Sequence, residues 1–197
     1  MAKTIWLKDG TEAIIRELTE GDLDLSFAFF QGLGPEDKAY LRVDVSDREV
    51  VWKRLRNERY VDVKRIVAEV DGEIVADAAL ELNPHGWERH LAEFRLIVAS
   101  EFKRKGLGMF MAEELYEMAI QEQVEEMTVQ LMGPQKEAKK IFERLGFRQD
   151  AVLKDFVKDV KGQRQDLIIM RCSLDDIWNQ IESYFEEFEG MASQEMA

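Results

Sequence analysis

The sequence is poor in residues that carry reactive or metal-binding chemistry. Cys172 is the only cysteine among 197 residues, which excludes an internal disulfide and a CxxC zinc pair. His85 and His90 are the only histidines, and both lie in the polar stretch around Pro84-His85-Gly86, which reads as a surface turn. No metal site and no Ser-His-Asp triad is expected from such a set. Three prolines and twelve glycines leave no room for a Pro/Gly-rich linker. No uncharged apolar run approaches the roughly 20 residues of a membrane helix. The opening residues Met1-Ala2-Lys3-Thr4-Ile5-Trp6 lack the apolar core of a signal peptide, so the expected location is the cytoplasm. Positive charge is scarce as well, with 27 Lys and Arg against 40 Asp and Glu and a net charge of -13. That field repels phosphate backbones and anionic lipid, which argues against nucleic acid and membrane as main partners. It suits a cationic partner, such as a protein lysine or a small cationic amine, and it serves plain solubility equally well.

What is present is an ordinary globular composition with one core's worth of chain. Ala13 to Leu18 reads as a strand, and Thr19-Glu20-Gly21-Asp22 as a turn that caps a helix carrying Leu23, Phe27, Phe30 and Leu33. A second helix is expected after Ser46, with Val50, Val51 and Leu55 on one face. Val63 to Val70 and Ile74 to Leu82 are strand-like runs joined by Asp71-Gly72, a strong hairpin signal. Leu91 to Val98 is a further strand, and helical spacing resumes at Gly108. Met127 to Leu131 then reads as a strand, 135–145 as a helix with Gly146 as its C-cap, and 151–160 and 166–172 as two last strands. The order predicts an α+β domain on a mostly antiparallel sheet, spanning 1–173.

Residues 174–197 stand apart. Ile177, Ile181, Tyr184 and Phe188 share one helical face, and no Lys or Arg follows Arg171. The favoured expectation is an acidic helix docked on its own domain, with a homodimer contact as the alternative. The stretch after Gly190 is expected to fray.

The segment with chemical content runs from Ala92 to Met109: a strand, a basic loop with two glycines, and a helix. The glycines let the backbone curl close to a ligand. The following helix points unpaired N–H groups and its positive end into that curl. Lys103, Arg104 and Lys105 add positive charge to an acidic chain. Together these describe a pyrophosphate site, against the plainer reading of a flexible turn with solvated basic residues. The loop is neither a Walker A motif, since Gly-Lys-Ser/Thr is absent, nor a dinucleotide GxGxxG, since Ala112 follows Gly108 too late.

Val98-Ala99-Ser100-Glu101-Phe102-Lys103-Arg104-Lys105-Gly106-Leu107-Gly108 resembles the coenzyme A pyrophosphate motif of the GNAT superfamily, Arg/Gln-x-x-Gly-x-Gly/Ala, with Lys103 in the first position. Ala138-Lys139-Lys140-Ile141-Phe142-Glu143-Arg144-Leu145-Gly146-Phe147 resembles that family's second motif, a helix ending in Gly-Phe. Ala92-Glu93-Phe94 is similar to the strand of its bacterial protein lysine acetyltransferases. The resemblance implies the GNAT fold, a mixed, mostly antiparallel central sheet flanked by helices, and acetyl-coenzyme A as co-substrate for acetyl transfer to an amine. It implies that backbone at Ile97, Val98 and Ala99 takes the pantetheine arm and that Lys103, Arg104, Lys105, Gly106, Leu107, Gly108 and Met109 cradle the phosphates. It places Gln135 where an asparagine is common and Phe142 where a tyrosine often protonates the departing thiolate. Core packing is the stronger reading of Phe142. Glu93 takes the position of the general base, against the plainer reading of an ion pair with Arg95 or a neighbouring cation. A coenzyme A-binding module without turnover is the competing function.

Overall fold

The computed structural model describes residues 2–56 and 62–195, with side chains described as far as 186. The elements run β1 (Ala2–Trp6), β2 (Glu12–Glu17), a 3-10 turn (Glu20–Asp22), α1 (Leu23–Gly32), α2 (Pro35–Lys38), α3 (Arg48–Leu55), β3 (Asp62–Val70), β4 (Glu73–Leu82), β5 (Leu91–Val98), a second 3-10 turn (Ser100–Phe102), α4 (Leu107–Gln121), β6 (Glu126–Met132), α5 (Lys136–Arg144), β7 (Arg148–Lys158), β8 (Arg164–Ser173) and α6 (Leu174–Glu195). Two of these lie outside the sequence expectations. β1 is an edge strand that buries only Ile5. α2 is one turn that buries nothing. α6 also continues past Gly190, where fraying was expected.

The eight strands form one sheet in the order β1-β2-β3-β4-β5-β6-β8-β7. Every pairing is antiparallel except β5 with β6. The turn chemistry follows the residues. Asp71 and Gly72, with φ of 51° and 82°, make the tight β3–β4 hairpin turn that Asp-Gly favours. α5 ends in a Schellman motif: Gly146 N–H donates to Glu143 O and Phe147 N–H to Phe142 O, at 3.1 and 2.9 Å, with Gly146 at φ 89°.

Strand alternation gives the sheet two buried faces. One face, with Ile15, Ala68, Leu80, Phe94, Met127 and Met170, packs under α4, α5 and α6. The other, with Val67, Ile74 and Ile97, packs under α1 and α3 through Phe29, Phe30 and Val51. α6 docks on its own domain: Ile177 and Ile181 are each 1% exposed, Trp178 stacks on Tyr116 at 5.3 Å, and Phe185 meets Phe110 at 5.0 Å. Phe188 lies beyond the described side chains. Cys172 is buried in the same core, and burial pushes its thiol up to about 12, so it is inert. Among the described residues no helix is long and apolar enough to cross a membrane, and no group of three His, Cys, Asp or Glu is arranged to hold a metal.

Candidate active site

The site begins where a ladder stops. β5 and β6 pair only at Leu91–Glu126, Ala92–Met127 and Glu93–Thr128. Beyond Glu93 the two strands diverge, although β5 runs on to Val98 and β6 to Met132. The sheet therefore has an internal wedge with its apex at Glu93. Ala99 N–H donates to Val75 O at 2.9 Å, and the β4–β5 register then turns the N–H and C=O groups of Arg95 and Ile97 toward β4. The groups of Leu96 and Val98 point the other way, into the wedge, without a strand partner. Unpaired backbone groups of this kind need a partner from solvent or ligand. An extended, amide-bearing ligand fits there as a substitute strand. Leu96 was not among the expected ligand-binding residues. Only the parity of the ladder, which needs the structure, singles it out from Ile97.

The glycine loop lies at the open end of the wedge. Gly106 is the N-cap of α4 at φ 90°, and Arg104 also has positive φ, 64°. The loop thus curls over the first turn of α4, where the Leu107 and Gly108 N–H groups precede the first helical hydrogen bond. A Cβ on Gly108 would stand 3.6 Å from Leu96 Cδ2, so this turn sits directly over the β5 lip. The three cations behave differently. Lys103 pairs with Asp37 at 2.8 Å, and Lys105 pairs with Asp9 at 2.8 Å, holding that carboxyl down at about 2. Arg104 is exposed and has no ion-pair partner among the described residues, which leaves it as the open cation of the loop. Gln135 lies at the end of the β6 lip, where its Oε1 accepts the Met132 N–H at 2.7 Å. Phe142 is 6% exposed and meets Phe94 and Phe147 edge-on at 5.5 and 5.3 Å, so its ring is core.

Glu93 projects from the apex on the α1–α3 side of the sheet, 17% exposed. Its neighbours are cations. Arg42, from the loop between α2 and α3, donates through Nη1 to Oε2 at 3.1 Å and through Nη2 to Oε1. Arg95 Nη2 lies 3.8 Å from Oε2 and bonds Glu81 at 2.7 Å. The expected Arg95 contact is thus present but secondary. The partner that matters, Arg42, is 51 residues away in a loop without periodicity.

A sheet parted beside a helix N-terminus offers a place for an extended, amide-bearing ligand that ends in an anionic group. Residues 30–147 match the acetyltransferase (GNAT) family, and the chain belongs to it. Members of that family move an acetyl group from acetyl-coenzyme A to an amine, and on that ground the protein is an N-acetyltransferase. No curated protein sequence matches the chain significantly. Solved structures of the same fold include the GNAT domain of PAT from S. lividans, 18% identical over 87% of this chain and 96% of that one, with a TM-score of 0.71. A ribosomal-protein-alanine N-acetyltransferase from Brucella melitensis is 25% identical over 81% of this chain and 98% of its own, with a TM-score of 0.65. A chimeric spermidine N-acetyltransferase from Vibrio cholerae is 19% identical over 85% and 98%, with a TM-score of 0.68.

Proposed function

We propose that the protein transfers acetyl from acetyl-coenzyme A to an amine by direct attack, with Glu93 as general base. Glu93 at the apex of the β5–β6 wedge carries this reading. The coenzyme supplies an acetyl thioester. The wedge supplies the Leu96 and Val98 backbone groups for its pantetheine arm, and one N–H there polarises the thioester carbonyl. The first turn of α4 and Arg104 receive the pyrophosphate. An alkyl amine has an unperturbed pKa of roughly 10.4 and must lose a proton before it attacks. Glu93 takes that proton, directly or through water, once Arg42 has left its oxygens. Phe142 has no proton to give. A thiol pKa of about 8.5 lets the coenzyme thiolate leave without an acid. The acceptor classes in view are a protein lysine or N-terminus and a small amine. The structural relatives are described as acting on protein alanine and on spermidine, respectively.

A second reading is a coenzyme A-binding module without turnover. Arg42 on both Glu93 oxygens and the absence of a hydroxyl at Phe142 favour it. Release of free thiol from acetyl-coenzyme A, followed across a panel of amines, separates the two. On an accepted amine, Glu93→Gln is expected to keep coenzyme affinity and lower turnover by roughly 100-fold or more. Unchanged turnover removes Glu93 from the mechanism. Coenzyme binding without thiol release for any amine supports the module.

A further inference from the structure

The α1–α3 side of the sheet carries an unusual concentration of charge. The register places Arg65, Ala79 and Arg95 in one cross-strand row of β3, β4 and β5. Glu81 and Glu93 occupy the next row on one side, and Asp77 the row on the other. Ala79 keeps the row low between Arg65 and Arg95, which flank it on either side and repel each other. Arg54 of α3 closes the inner end, bonded to Asp77 at 3.2 Å, and Arg42 closes the outer end on Glu93.

Four guanidinium groups therefore meet three carboxylates. The hydrogen bonds are as unbalanced as the charges. Arg65 Nε and Nη1, Arg54 Nη1 and Arg95 Nε have no acceptor among the described residues, against a single orphaned acceptor, Asp77 Oδ2. Arg65 is the extreme case: its side chain is 10% exposed, and its nearest carboxylate oxygen is 3.9 Å away. Burial, with Arg54 and Arg95 adjacent, lowers it to about 10, so it is still a cation at neutral pH. A buried charge without matching counter-charge is expensive, and the deficit here is in negative charge and in acceptors. The cluster opens to solvent at Arg42, 35% exposed, beside the proposed base. An ammonium ion alone entering that mouth adds a fifth cation to three carboxylates. A carboxylate entering with the amine restores the balance and gives Arg42 a bidentate partner in place of Glu93.

We infer that the acceptor is an amine bearing its own carboxylate, of the amino-acid class, and that Arg42 and the Arg95–Arg65 row select it by that carboxylate. This rests on the acetyltransferase reading above. It narrows that reading, in a chain whose overall charge of -13 points toward cations. Arg42 moves from Glu93 to the acceptor carboxylate, so the same contact that recognises the substrate frees the base.

The test uses the full chain with α-amino acids and their carboxamides as matched pairs. Thiol release should favour the acid of an accepted pair by about ten-fold or more in kcat/KM, the scale of one charge-assisted hydrogen bond. Arg42→Gln should erase that preference, mainly by raising KM for the acid. Equal use of acid and carboxamide, a preference for lysine in a peptide over every free amino acid, or an equal loss for both members in Arg42→Gln would each overturn the inference. If no amine releases thiol, the acetyltransferase reading fails. The inference is then decided by calorimetric titration of the same pairs with coenzyme A present. Acids that bind more tightly than carboxamides in the wild type but not in Arg42→Gln sustain it. Equal or absent binding overturns it.

Discussion

Gly106 and Gly108 look interchangeable in a Gly-x-Gly loop, yet they are held for different reasons. Gly106 sits at φ 90°, and a Cβ there would come within 2.7 Å of the Tyr184 hydroxyl of α6. Alanine at 106 therefore strains the backbone and pushes on the C-terminal helix, so its effect on ligand binding is mixed with an effect on folding. Gly108 has no such constraint, since a Cβ would make only ordinary contact with Leu96. Gly108→Val is the clean probe. It should fold with nearly wild-type thermal stability and bind acetyl-coenzyme A at least about ten-fold more weakly, because the branched side chain fills the space that the phosphates need beside the helix N-terminus. Undiminished affinity by calorimetry would move the phosphate site away from the first turn of α4. The motif that contains these glycines was legible in the sequence as a loop between a strand and a helix. Which basic residue of Lys103, Arg104 and Lys105 stays open was not, because that depends on Asp37 of α2 and Asp9 of the β1–β2 turn, carboxylates far away in the sequence.

At the scale of elements, α6 links the far end of the sheet to the glycine loop. It leaves β8 at Leu174, whose N–H donates to Glu125 O at 3.2 Å, and runs along α4 to Tyr184. Lys8 from the β1–β2 turn meets it there, its ammonium 4.9 Å from the Tyr184 ring centre. Ile181→Ala, at a position 1% exposed, should lower stability by about 2–5 kcal/mol, the usual range for deleting a buried aliphatic side chain. Chemical denaturation measures it, and a change under about 0.5 kcal/mol, typical of surface sites, would make the helix a loose appendage. The apolar spacing of Ile177, Ile181 and Tyr184 announced this helix and its buried face. β5 and the β3–β4 hairpin were equally legible, from alternation and from Asp71-Gly72. β1 was not: its outward side chains are exposed, with Trp6 at 58%, and a short edge strand with a single buried residue has no period to detect. α2 is too short to show a face. The Glu93–Arg42 contact was hidden for a related reason, since loop residues carry no register that points to a partner.

For the whole molecule, the decisive feature is one that no strand pattern contains: the sheet is continuous in order but parted in the middle. β1 to β5 form one antiparallel block and β6, β8 and β7 another, joined within the sheet by three residue pairs and beneath it by the docking of α6 on α4. The sequence of β5 stays strand-like through Val98 and gives no sign that pairing on one side ends at Glu93, because pairing is a property of two strands and of the helix turn wedged over them. If acetyl-coenzyme A fills the parting, it completes hydrogen bonding across the seam and ties the blocks together. Hydrogen exchange of individual backbone amides reads this directly. In the free protein the Leu96 and Val98 amides, which face the wedge, should exchange much faster than those of Arg95 and Ile97, which face β4. With coenzyme at 100 times its Kd, exchange at Leu96 and Val98 should slow by up to about 100-fold and global stability should rise by about 2.7 kcal/mol, both by mass action. Protection confined to the α4 loop, with Leu96 and Val98 unchanged, would mean that the phosphates bind where expected while the pantetheine arm runs outside the sheet. The apex position of Glu93 would then lose its meaning for the chemistry.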